Sequence, residues 1–289
     1  MTTKRPPPSP PALRRLPPVR RNGTLLLDHL SDTLSLSRRA AKNLLDDRMV
    51  FINGRRIWMA KHLLQTRDVI ELLPEAAPSK KQASTGIPIL MDDPLFLVAD
   101  KPPRLLTNGA KSLETRLQEQ LGLPCLRAVH RLDKDTSGCV LFAKQEEIRK
   151  ALIAQFEEGR IRKLYHALVA GNLPRPLMDV REQIDNLSAI SHIRQVSART
   201  KPPRCAHVTI AIETGRTHQI RIHLKQIGDP VLGDRQYFTP LSSAFPEVPR
   251  QMLHAYELRF LHPKTGRSLG VTAPLPKDFK IWLQTLQLK

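Results

Sequence analysis

The sequence is short of cysteine, aromatic residues and acids, and each shortage removes a class of protein. Its three cysteines, Cys125, Cys139 and Cys205, are odd in number, far apart and form no CxxC pair. That argues against a disulfide framework or a zinc site and fits a reducing cytoplasm. Aromatics are 4% of the chain, too few for base-stacking platforms to be the main binding device. No apolar run approaches the roughly eighteen residues that mark a membrane span. The first residues carry charge and proline where a signal peptide needs an apolar stretch. No basic amphipathic helix with Trp or Phe on its apolar face points to an acidic membrane surface. The sequence also lacks a GxxxxGK loop, a dinucleotide glycine fingerprint, a βαβ rhythm and any internal repeat.

What is abundant is positive charge. Over 289 residues, 46 Lys and Arg face 27 Asp and Glu, for a net charge of +19. Such an excess attracts polyanions, because each phosphate contact releases condensed counterions. With few aromatics, a folded RNA read through shape and backbone suits this composition best.

The chain divides by composition. Residues 1–22 hold seven prolines, from Pro6 to Pro18, among Lys4, Arg5, Arg14, Arg15, Arg20 and Arg21, with no acid. That predicts a disordered basic arm. Residues 23–75 predict a compact small α/β domain. Leu25, Leu26, Leu30 and Leu34 recur at helical spacing, and Ser37 reads as the cap of a second helix. Arg38, Arg39 and Lys42 oppose the dipole at that helix start, a cost that a bound phosphate would reverse. Met49 to Ile52, Asn53-Gly54 and Arg55-Arg56-Ile57 read as a hairpin, and Val69 to Leu73 as a closing strand. Residues 76–88 read as a linker. Residues 89–289 mix strand runs (Leu95 to Ala99, Tyr165 to Val169, His207 to Ile212) with helical stretches such as Glu146 to Phe156. The expectation is an α+β domain with a mixed, largely antiparallel central sheet flanked by helices.

His130-Arg131-Leu132-Asp133-Lys134-Asp135-Thr136-Ser137-Gly138 is a polar loop entering the apolar run Cys139 to Ala143. Taken alone, it reads either as an Asx-type turn or as a carboxylate kept charged between Arg131 and Lys134. An aspartic-protease reading fails, since that chemistry needs two Asp-Thr/Ser-Gly loops and no second copy exists. His218 and His223 lie five apart, with no cysteine or acid cluster beside them, so no metal is expected. Thr217 reads as the cap of a short helix ending at Gly228, with His218 and Arg221 on one face.

Four blocks together resemble the RluA-type pseudouridine synthases. They are His130 to Lys144; Lys163 to Val169 with Gly171; Thr214 to His223, continuing through Gly233, Asp234 and Tyr237; and Leu253-His254-Ala255 through Ala273-Pro274-Leu275-Pro276. They stand in family order across residues 89–289. Residues 23–75 resemble, more loosely, the S-four-like RNA-binding domain.

The resemblance implies an isomerase that detaches uracil from its ribose and rejoins it through carbon five, without a cofactor. It makes Asp133 the catalytic aspartate, Tyr165 the active-site tyrosine and Arg221 the arginine that pairs with Asp133. Arg131 would fill the space left by an extruded nucleotide. His130, Lys163, Arg216 and His218 are expected to face RNA, as are Arg38, Arg39 and Lys42 on the small domain. The expected partner is structured RNA bound by a monomer, with large-subunit ribosomal RNA as the first choice and transfer RNA as an alternative. Arg104, Asp229 and Phe238 depart from the family pattern, at positions where glycine, a histidine or aromatic, and glycine are usual. A non-catalytic RNA-binding or ribosome-assembly protein on the same fold remains an alternative. A magnesium nuclease would need clustered acids that these segments lack.

Overall fold

The computed structural model describes residues 14–46, 49–57, 59–72, 86–238 and 248–288. The chain separates into two compact units, Met1–Ser84 and Thr85–Lys289.

The small unit contains β1 (Arg14–Arg15), β2 (Thr24–Leu25), α1 (Leu26–Leu34), α2 (Arg38–Asp46), β3 (Val50–Ile52), β4 (Arg55–Arg56), β5 (Leu63–Leu64) and β6 (Ile70–Leu72). The Ser37 hydroxyl caps α2 by accepting from Ala40 N–H at 3.2 Å. Asn53 and Gly54 turn the β3–β4 hairpin with φ of 51° and 76°, as a type I′ turn requires. Asn53 also bonds Asp68 and Val69 through its amide, tying the hairpin to the approach to β6.

The arm expected to be disordered over residues 1–22 is ordered from Arg14 onward. β1 pairs with β6, and Leu16 and Val19 are buried with Leu26, Leu30, Leu45, Ile52 and Leu72. Burying a Leu or Val gains about 1.5–3 kcal/mol, enough to outweigh the neighbouring prolines. Residues 1–13 lie outside the described part. So does the linker expected over 76–88, except at its end. There Ile87 packs on the large unit's core and its N–H donates to Gln120.

The large unit runs β7 (Ile89–Asp92), β8 (Phe96–Lys101), α3 (Leu113–Leu121), β9 (Arg127–Ala128), β10 (Ser137–Ala143), α4 (Glu146–Glu157), β11 (Arg162–Ala170), β12 (Leu177–Val180), β13 (Gln183–Ile184), β14 (Leu187–Ser188), β15 (Ser191–Arg199), β16 (Cys205–Ile212), α5 (Gln219–Gln226), β17 (Leu253–Leu261), β18 (Ser268–Thr272) and α6 (Lys277–Thr285). One ten-stranded sheet carries it, in the order β12-β15-β16-β11-β17-β10-β8-β7, with β18 on β17 and β9 on β10. The pairs are antiparallel except β10–β17, which is parallel. The fold is therefore α+β with the mixed, largely antiparallel sheet expected. β10 is buried throughout, as its unbroken apolar run Cys139 to Ala143 demands. Separate apolar clusters flank the sheet, one including Leu113, Leu117, Ile220 and Leu224 and another including Ile148 and Leu152.

The start of α5 corrects one expectation. Its N-cap is His218 rather than Thr217, in the left-handed region with φ 57° and with no side-chain capping bond. Among the described residues, no helix is long and apolar enough to cross a membrane.

Candidate active site

The polar loop before β10 is tied down at almost every residue. The Thr107 hydroxyl accepts from Leu132 N–H at 3.0 Å and donates to Leu132 C=O at 3.1 Å. Lys101 Nζ donates to the carbonyls of Lys134, Leu105 and Pro102. Arg250 donates to Asp135 C=O at 3.1 Å, and Gln251 donates to the Thr136 hydroxyl at 2.7 Å. His254 Nε2 faces the Ala273 carbonyl, so it carries the proton and Nδ1 accepts from Ser137 Oγ at 3.0 Å. Lys101, Arg250 and His254 are each at most 1% exposed. Burial pulls the Lys101 ammonium down to about 7, against the opposing pull of Asp135, and the His254 imidazole down to about 4. Gly138 has φ 113°, and a β-carbon there would strike the Ala255 backbone. The loop enters the parallel β10–β17 contact only because this residue is glycine.

Above that floor stands Asp133, whose side chain takes a partner from a distant segment. Arg221, in the first turn of α5, donates to Asp133 Oδ2 at 3.0 Å. Arg221 is itself fixed by a fork onto Asp234, with Nε to Oδ2 at 2.5 Å and a terminal nitrogen to Oδ1 at 2.9 Å. Burial alone would raise the Asp234 carboxyl, but Arg221 and the N–H groups of Gln236 and Tyr237 outweigh it, and it is held low. A guanidinium suits this place because its planar donors can serve two carboxylates at once.

Tyr165 lines the same cavity, which measures about 90 Å³ and is also lined by Arg131, Thr136, Arg216, His218 and Leu253. Burial, reinforced by the Asp133 charge, raises the Tyr165 phenol and keeps it protonated. The β11–β17 register slips by one between Leu164 and Tyr165, a bulge of the kind that re-aims side chains beside active sites. Gln219 supports the loop that carries Arg216. Its Oε1 accepts from Thr214 Oγ1 and Arg216 N–H, and its Nε2 donates to Ile190 C=O.

Of the residues expected from sequence, Asp133, Tyr165, Arg221, Arg131, Arg216 and His218 share this cavity. His130 does not face it. Its Nε2 accepts from Leu141 N–H, its ring lies 4.9 Å from Phe156, and burial, then Lys163, pulls it down to about 3. Lys163 is turned inward, donating to Thr214 C=O at 3.1 Å, with burial lowering it to about 8. Arg38 and Lys42 belong to the small unit, where Arg38 pairs with Asp28 at 2.8 Å. The side chain of Arg39 lies outside the described residues.

Sequence reasoning assigned no role to Asp234, Tyr237, Gln219, Lys101 or Arg250. Asp234 and Tyr237 stood in a recognised block, but only the folded chain pairs them with Arg221 and His218. Two departures now have a setting. Arg104 adopts φ 66°, the left-handed region that glycine enters freely. Asp229 is buried, its Oδ2 has no hydrogen-bond partner, and it packs against Gly171. Among the described residues, no group of three or more His, Cys, Asp or Glu could hold a metal ion.

A family model described as RNA pseudouridylate synthase matches residues 95–226. The ribosomal large subunit pseudouridine synthase D of Pseudomonas aeruginosa is 30% identical over 82% of this chain and 85% of its own length. The ribosomal large subunit pseudouridine synthase C of Escherichia coli is 33% identical over 82% of this chain and 85% of its own length. Among solved structures, human RNA pseudouridylate synthase domain containing 4 shares the fold with a TM-score of 0.60. It is 22% identical, and the match covers 71% of this chain and 94% of that one.

Proposed function

Because the chain belongs to the RluA-type family of RNA pseudouridine synthases, we propose that it isomerises uridines of large-subunit ribosomal RNA, with Asp133 as the reacting carboxylate and no cofactor. The observation that carries this reading is Asp133 held by Arg221 in the cavity that Tyr165 also lines. Chemistry on a base inside a stem needs extrusion of the nucleotide, at a cost of a few kcal/mol. Arg131, exposed at the cavity, is suited to fill the vacated stack. The Asp133 carboxylate then acts at the sugar, as nucleophile or as base. The N1–C1′ bond breaks, the uracil turns over and rejoins through C5, C5 loses its proton and N1 gains one. Tyr165 offers a protonated phenol ring to stack on the freed base.

The target class follows the relatives described above, which are named ribosomal large subunit pseudouridine synthases. The net charge of +19 supports a polyanionic partner. In this reading the small unit is an S-four-like RNA clamp, and the protein works as a cytoplasmic monomer. A binder without catalysis has no need for a carboxylate in a cationic cleft, where it would repel phosphate.

The experiment is a pseudouridine assay on a large-subunit ribosomal RNA transcript with chelator present, beside a transfer RNA transcript. Asp133→Asn is expected to lower turnover by about 10⁴-fold or more while RNA affinity is retained. Equal loss of binding would remove Asp133 from the chemistry, and product on the transfer RNA alone would overturn the ribosomal target.

A further inference from the structure

The two oxygens of Asp133 have different neighbours. Oδ2 is committed to Arg221. Oδ1 faces the imidazole of His218, whose Nε2 lies 3.8 Å away. That distance is too long for a hydrogen bond, so the two groups lie side by side on the wall of the cavity they both line without being committed to each other. The ring is fixed at its far side, where His218 Nδ1 and the Tyr237 hydroxyl are 3.1 Å apart and the two rings meet edge to face at 75°. Tyr237 is in turn held by its N–H to Asp234 and by Arg221 lying 4.9 Å over its ring. A carboxylate on the Nε2 side favours the proton on that nitrogen, and the Tyr237 hydroxyl then donates to Nδ1. The result is an oriented N–H donor beside the oxygen of Asp133 that Arg221 leaves open.

The backbone points the same way. His218 sits at φ 57°, a region unfavourable to any residue with a β-carbon. The position starts α5, yet the side chain caps nothing. Asparagine or glycine would serve the helix better, so the histidine answers to the cavity.

Resting on the functional reading above, we propose that His218 is a further catalytic residue. Its Nε2–H donates to the uracil carbonyl that gains charge as the base departs. When the N1–C1′ bond breaks, the electron pair passes to the base and spreads onto its carbonyl oxygens. A fixed donor at that point stabilises the transition state more than the bound substrate. As C5 bonds to C1′ the charge is lost, C5 releases its proton and N1 takes one up, so His218 ends as it began. Tyr237 is the positioning residue that sets its tautomer.

The test compares His218→Asn, which suits the left-handed backbone but cannot reach, with His218→Gln, which restores an N–H at similar reach. Both are assayed at saturating transcript, with RNA affinity and thermal unfolding measured alongside. The Asn variant should lose about 10²-fold in kcat, with RNA affinity unchanged and a melting temperature no lower than the parent's. The Gln variant should recover about tenfold of that loss, and Tyr237→Phe added to the Asn variant should cost nothing further. A kcat near the parent's in the Asn variant, equal rates for Asn and Gln, or parallel loss of kcat and affinity would each overturn the proposal. An unsubstituted chain that makes no pseudouridine would instead sink the functional reading, and this inference with it.

Discussion

Two regions hold the loop that carries Asp133, and each centres on a buried arginine forked onto an aspartate. In the α5 region, Arg221 grips Asp234 and turns its remaining nitrogen to the side chain of Asp133. In the region between β17 and α6, Arg250 grips Asp278 with the same two-bond geometry. Its remaining nitrogen is spread over the backbone carbonyls of Asp135, Gln251 and Leu253. The chemical unit is the same and its output differs. One free nitrogen meets a carboxylate side chain, whereas the other meets only backbone, so under the proposed function the first serves chemistry and the second serves shape.

Three substitutions can break or sharpen that contrast. Arg250→Met leaves Asp278 without its partner, and losing one member of a buried pair costs about 3–5 kcal/mol. Because Asp278 is about one-third exposed, the lower end, about 3 kcal/mol, is expected from urea unfolding, with KM for RNA unchanged in the folded enzyme. Arg221→Lys keeps the charge and loses the fork. It should lower kcat by about 10²-fold, with an unfolding midpoint much closer to the parent's than that of Arg250→Met. Equal damage to stability from both would erase the distinction.

The smallest effect concerns Asp229, a buried carboxyl without a fork, raised by burial from 3.8 to about 6. The folded chain holds that proton more tightly than the unfolded chain. This contribution to stability is complete below about pH 4 and is lost as pH rises through about 6. Asp229→Asn should therefore be more stable than the parent by about 1–2 kcal/mol near pH 8. Thermal unfolding across pH should show the gap closing toward pH 4. A constant gap would mean that the carboxyl titrates alike in the folded and unfolded chains.

Local pattern made much of the fold legible. Leu95 to Ala99, Tyr165 to Val169, His207 to Ile212 and Glu146 to Phe156 are apolar or amphipathic runs whose period declares their type, and each forms the expected element. Elements fixed by tertiary pairing escaped. The two-residue strands at Arg14 and Leu63 have no period of their own and exist because β6 and β2 lie beside them. The direction of a polar side chain was equally hidden. His130 and Lys163 carry the chemistry of RNA contacts but lie on the inward side of their segments. Asp234 escaped because a carboxylate shows its role only through its partner, thirteen residues away across a helix.

The parallel seam between β10 and β17 has a consequence for biosynthesis. Ser137 and His254 meet across 117 positions of chain, and Arg250 and Asp278 likewise leave the ribosome after the loop that Arg250 braces. A nascent chain that has already exposed residue 133 thus has only the Lys101 and Thr107 part of that loop's support. The loop therefore gains its full bracing only once the segment from Arg221 to Asp278 has been made.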